Sequence, residues 1–181
     1  MGKIYEEITS ELSAWIRSQK LFFVATAPLR ADGLVNCSPK GMDTFRILGP
    51  REVGYLDLTG SGIETIAHLK ENGRIVFMFC AFEGPPKIVR LYGRGSVVEA
   101  TTPEYDALKS SFTTYSGARA IVKVDVTRIG DSCGFGVPRY DFKGERDTLV
   151  RSAETKGTDE LSRYWAEKNT RSIDGLPGLG T

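Results

Sequence analysis

EVGYLDLTGSGIETIAHLKENGRIVFMFCAF, residues 52–82, is the stretch that decides the fold. Residues 52–58, EVGYLDL, are mostly aliphatic and aromatic and read as a strand. Thr59-Gly60-Ser61-Gly62 then leads into a helix, IETIAHLKENG. Ser61 and Glu64 stand at the S-x-x-E spacing of a capping box, and Gly73 suits the left-handed position that ends a helix. RIVFMFCAF, residues 74–82, is a continuous apolar run of the kind a buried strand shows.

Outward from this unit the pattern stays β-rich. KIVRLYGRGSVVEA, residues 87–100, reads as a long strand whose Gly93 and Gly95 predict a bulge or bend. ARAIVKVDVTRIG, residues 118–130, alternates as a half-buried strand does. On the N-terminal side, LFFVATAP (21–28) and LVNCSPKG (34–41) flank a turn at Asp32-Gly33 and predict a hairpin. Residues 3–18 place Ile4, Ile8, Leu12, Trp15 and Ile16 on one stripe at helical spacing. Thr102-Pro103 is an N-cap and first-turn pair starting a short helix, and the tail carries helical segments near 145–155 and 158–169. The expectation is mainly β: six antiparallel strands in a split or closed barrel with peripheral helices, since regular βαβα alternation is missing.

At 181 residues, with 40% hydrophobic and 26% charged residues, the chain predicts one globular domain, 1–181, with 131–181 as a C-terminal helical and loop extension. A net charge of +1 without a basic block gives nucleic acid no electrostatic footprint, and no long apolar run predicts a membrane span. The N-terminus lacks the apolar core of a signal peptide, so it reads as part of the fold. Cys37, Cys80 and Cys133 are odd in number and far apart, which suits a reducing cytoplasm and argues against a disulfide framework or a metal site.

Three stretches invite chemistry, and each has a plain structural alternative. Asn36-Cys37-Ser38-Pro39-Lys40-Gly41 ends a strand that proline marks as an edge; it offers free backbone and one cation, or simply a solvated lysine. Thr59-Gly60-Ser61-Gly62 joins a strand to a helix start, an anion site by its exposed amides or an ordinary capped terminus. Ser132-Cys133-Gly134-Phe135-Gly136 is a glycine-flanked aromatic, suited to stacking on a flat ring or to a tight turn. His68, the one histidine, is a packed or surface helix residue or, as the rival, a haem ligand. Arg90 and Arg94 share one strand face.

Taken in order, LFFVATAPLRADGLVNCSPKG, the stretch from residue 52 to 82 and KIVRLYGRGSVVE resemble the pyridoxamine 5′-phosphate oxidase-like superfamily of flavin mononucleotide (FMN)-binding split barrels, across about residues 20–100. The resemblance is strongest to an oxidase-related subgroup. It implies noncovalent FMN at a homodimer interface. Ser38, Pro39 and Lys40 would lie alongside the flavin, and Leu58, Thr59, Gly60, Ser61 and Thr65 would contact ring and phosphate. Arg90, Cys133 and Gly134 are candidates for the partner subunit's contribution. The implied activity is an FMN-dependent oxidoreductase or reductase acting on a small molecule, with NADH or NADPH as donor. The alternatives are a nonenzymatic flavin or haem binder and a deazaflavin-dependent reductase.

Two departures narrow this. True pyridoxamine phosphate oxidases place basic residues just after the helix-start serine, where this chain has Gly62, Ile63 and Glu64. Phosphate neutralisation then falls to Lys40, backbone amides and hydroxyls, or a distant arginine. The C-terminal Arg-x-His substrate signature is absent, so oxidation of pyridoxamine phosphate itself is not expected.

Overall fold

The computed structural model of the protein describes residues 2–180. The chain begins with β1 (Ile4–Tyr5) and α1 (Ser10–Ser18), then runs through β2 (Phe22–Thr26), β3 (Asn36–Lys40), β4 (Phe45–Gly49) and β5 (Glu52–Leu58). After α2 (Glu64–Asn72) come β6 (Arg74–Cys80), β7 (Ile88–Glu99), α3 (Pro103–Leu108), β8 (Ala118–Ser132) and α4 (Thr148–Lys168). All strand pairs are antiparallel, in the order β3-β2-β6-β7-β8-β5-β4, with β1 added to β8. The architecture is therefore mainly β with peripheral helices. Among the described residues no helix is long and apolar enough to cross a membrane.

The edge strands β3 and β4 share no ladder, yet the sheet coils until β4 reaches β2 and β6 through side chains. Phe45 on β4 sits with its ring centroid 5.2 Å from Phe22 on β2 and 5.0 Å from Phe79 on β6. Tyr55 and Phe77 complete this aromatic group, edge to face at 5.9 Å, the arrangement that ring quadrupoles favour. Around it pack the inward residues of five strands, among them Val24, Leu91, Val122 and Ile129. Leu12 and Ile16 of α1 close one side. Alternation decides this: Phe22 and Val24 turn in while Phe23 and Ala25 turn out, and a one-residue slip would invert the whole set.

The structure departs from the sequence expectation in three places. Among the described residues there are eight strands, not six. β4 was concealed because FRILG is half-buried throughout, carries Arg46, and shows no alternation. β1 has only two residues, but Lys3 N and Tyr5 Oη both donate to the Asp131 carboxylate at 2.6 Å and hold it on β8. That pairing also shortens the first helix, which starts at Ser10 and not at residue 3. Thr9 caps it, its Oγ1 accepting from Leu12 N at 3.2 Å. Third, the Ser61–Glu64 capping box does not form. α2 begins at Glu64 behind Ile63 with no side-chain cap, and the Glu64 carboxylate accepts from Ile173 N of the tail instead.

Other details agree with expectation. The β7–β8 register shifts between Tyr92 and Gly93, where a Cβ would come within 2.4 Å of Asp125 O. Thr102 caps α3 with proline in its first turn, Gly73 ends α2 at φ 68°, and Gly157 breaks α4 at φ 66° into the two expected segments.

Replacing Phe77, which has no exposed surface, by alanine should empty the centre of the aromatic group. The expected loss is about 3–5 kcal/mol of unfolding free energy, read as a lower urea midpoint at an unchanged slope.

Candidate functional site

A cavity of about 380 Å³ opens between edge strand β3, the end of β5, the loop 59–63 and the start of α2. That is within the range of small-molecule and cofactor sites, roughly 300–1,000 Å³. Its floor is a charge cluster. The carboxylate of Asp57, 1% exposed, takes the Lys40 ammonium on Oδ1 at 3.0 Å and Arg119 Nε on Oδ2 at 2.8 Å. Arg119, near the start of β8, continues from Nη1 to Gly60 O (3.2 Å) and from Nη2 to Gly62 O (2.9 Å). Burial alone would push the Asp57 carboxyl up, but the two cations and their hydrogen bonds overcome that and hold it below its ordinary value.

β3 forms one wall. As an edge strand it tolerates Pro39, whose missing N–H would cost a ladder bond in the middle of a sheet. Asn36 organises the polar groups beside it. Its Nδ2 donates to Thr26 Oγ1 (3.2 Å) and Thr65 Oγ1 (3.0 Å), and its Oδ1 accepts from Ser38 Oγ (3.0 Å). Ser38 therefore uses its only proton on Asn36 and turns lone pairs to its remaining surroundings.

The opposite wall is the 59–62 loop, fixed from behind by residues distant in sequence. Thr59 N and Oγ1 both donate to Gly117 O, at 2.8 and 2.6 Å. Trp165 Nε1 donates to Thr59 Oγ1 at 2.8 Å, and Asn169 Nδ2 reaches Gly60 O at 3.1 Å and Ser61 O at 3.4 Å. A Cβ added at Gly60 would meet no protein atom within 4 Å, so the space beside it is left open. Formal charge is balanced: Lys40 and Arg119 against Asp57 and Glu64.

Eight of the residues singled out from sequence, Ser38, Pro39, Lys40, Leu58, Thr59, Gly60, Ser61 and Thr65, come together on this cavity. Arg90, Cys133 and Gly134 do not line it. Arg90 projects from the outer sheet face and donates to Ser132 Oγ, and Gly134, at φ 65°, packs on the backbone of Lys87. Cys133 is exposed beside Lys87 and Asp131. His68 is fully buried, its Nδ1 2.9 Å from Thr26 Oγ1, and burial lowers its pKa against the opposing pull of Asp174, Glu64 and Glu71. It stands behind Thr26, outside the pocket lining, which speaks against a role as haem ligand.

Sequence reading missed Asp57, Arg119 and Asn169, and it quoted Asn36 without giving it a role. A signal existed for the first two. Each is a lone charge inside an otherwise apolar strand, YLDL and ARAIV, and a charge so placed must be paired.

A small coiled antiparallel barrel with a polar pocket between an edge strand and a helix start is the class these features define. Residues 8–133 match the pyridoxamine 5′-phosphate oxidase family, and the chain belongs to it. A pyridoxamine 5′-phosphate oxidase family protein of Aspergillus flavus, ustO, is 42% identical over 196 residues, covering 99% of this chain and 78% of that protein. Among solved structures, HupZ of Group A Streptococcus is 25% identical with a TM-score of 0.53, over 67% of this chain and 91% of its own. A FAD-binding protein of Mesorhizobium loti shares the fold at 10% identity and a TM-score of 0.51, over 72% of this chain and 96% of its own.

Asp57→Asn should leave two cations facing a neutral amide and destabilise the protein by about 3 kcal/mol at neutral pH. A depressed carboxyl stabilises the fold above the ordinary carboxylate range and loses that contribution as pH falls through its lowered value. The gap between wild type and Asp57→Asn in urea titrations should therefore narrow below pH of about 4.

Proposed function

We propose that the protein binds FMN noncovalently in this pocket, at the interface of a homodimer, and uses it in an oxidoreductase reaction on a small molecule. The observation that carries the reading is the convergence of Ser38–Lys40, Leu58–Ser61 and Thr65 on one cavity in a chain of this family. The donor set fits the group: an ammonium, a guanidinium, two hydroxyls and a loop of backbone amides suit a phosphate and the heteroatom edge of a flat ring. The M. loti neighbour is a FAD-binding protein, which agrees with a flavin.

Lys40 and the 59–62 loop would hold the flavin, and Ser38 and Thr65 would orient it. Bound flavin supplies hydride or electron transfer, the chemistry the side chains themselves lack. Lys40 is fixed by Asp57 and lies 5.5 Å from the centroid of the Tyr55 ring, so its charge stays at the pocket wall without reorganising. Pyridoxamine phosphate is not the proposed substrate. The sole histidine is buried on Thr26 and leaves no imidazole for it.

The homodimer is supported by the outer sheet face. Register aligns Pro39, Phe23 and Met78 in one row and Cys37, Ala25, Val76 and Tyr92 in the next, each at least partly exposed. Pro39 belongs both to this face and to the pocket, so a subunit packed here would reach the cofactor.

Purified protein should carry or take up FMN, seen as the visible flavin band and as quenched flavin fluorescence. Lys40→Ala should weaken binding about tenfold or more. A colourless protein that ignores added FMN would overturn the proposal. Bleaching of the bound band by NADH or NADPH without oxygen separates an enzyme from a mere flavin carrier. Phe23→Glu should shift the species seen by light scattering from dimer to monomer and cost FMN affinity with it.

A further inference from the structure

Three consecutive carbonyls in the pocket loop point the same way, into side chains that come from elsewhere in the chain. Gly60 O accepts from Arg119 and Asn169, Ser61 O from Asn169, and Gly62 O from Arg119. No peptide bond here is cis. In a planar trans peptide the N–H points opposite to the C=O. The amides of Ser61, Gly62 and Ile63 therefore point away from Arg119 and Asn169. None of the three donates to a protein acceptor among the described residues, and all three residues line the cavity.

Asn169 lies beyond the family match, which ends at residue 133. The tail itself needs only its backbone: Asn169 N donates to Trp165 O at 2.9 Å, and Asn169 O accepts from Leu179 N at 2.8 Å. The fully buried carboxamide does something separate, reaching across to the loop with its N–H groups. Trp165, one turn earlier, anchors Thr59, and Ala153 packs against Gly117, the residue that receives both Thr59 donors.

We infer that Asn169, supported by Trp165, is a positioning residue for the ligand phosphate: by holding the 60–61 carbonyls back it turns the loop amides toward the pocket. This rests on the reading of the pocket as an FMN site and adds a specificity. The loop amides take over from the basic residues missing after Ser61, and the C-terminal segment makes the protein select a phosphorylated flavin over the unphosphorylated one.

The test compares FMN and riboflavin affinities in wild type, Asn169→Asp, Asn169→Ala and Trp165→Phe, together with melting temperatures and their response to inorganic phosphate. Asn169→Asp is isosteric but sets a carboxylate against two carbonyls. The alanine and phenylalanine variants serve should it fail to fold. The expected result is FMN binding weakened about tenfold or more with riboflavin binding within about twofold of wild type. Equal loss for both ligands, or a lower melting temperature with the FMN-to-riboflavin ratio unchanged, overturns the inference and assigns Asn169 a purely structural part. If wild type binds neither flavin, the flavin reading falls and phosphate decides. A phosphate-induced rise in melting temperature that Asn169→Ala abolishes sustains the positioning role. A rise that survives, or none in wild type, ends it.

Discussion

A single buried carboxylate between two cations governs the site and much of the fold around it. Asp57 draws Lys40 in from edge strand β3 and Arg119 across from β8, so three strands are tied at one point. Such an arrangement is costly to desolvate and tolerable only when every partner is in place. Here the partners are complete: both carboxylate oxygens are engaged, and Arg119 satisfies two further loop carbonyls. The gap between the barrel edges is thereby held as a pocket with fixed charges on its floor.

From this anchor the loop before α2 takes its shape. Arg119 holds it from beneath and the tail holds it from behind, through Trp165 and Asn169. The residues that match the family thus supply the walls, while a segment outside that match fixes the conformation of one of them. Buried amide and indole donors cost free energy when unpaired, which makes the placement of this loop strict.

The legibility of the sequence followed the range of the interactions. The apolar runs of EVGYLDL and RIVFMFC and the alternation of residues 118–130 each mark a strand with buried residues, and these strands lie where the pattern puts them. The bulge at Gly93 and the end of α2 at Gly73 were equally readable, because backbone geometry demands glycine there. β4 was not, since its half-buried residues answer to the coiling of the sheet and to Phe22 across the barrel. The Ser61–Glu64 box misled for a related reason. Its local hydrogen bonds lost to tertiary ones, with Glu64 engaged by Ile173 N and the loop carbonyls by Arg119 and Asn169.

By itself the sequence determined the β-rich class and the order of the long strands, and its family resemblance pointed to eight of the residues that line the pocket. The strands depend on local periodicity, the site residues on stretches shared with the family. Only the tertiary structure decided that Asp57 joins Lys40 to Arg119, that His68 is sealed behind Thr26, and that Trp165 and Asn169 brace a loop about a hundred residues earlier. The physical reason is that a lone charge or amide in a sequence states only that it needs a partner. Which partner it finds is set when the sheet coils and the tail packs, and there the chemistry of the pocket is made.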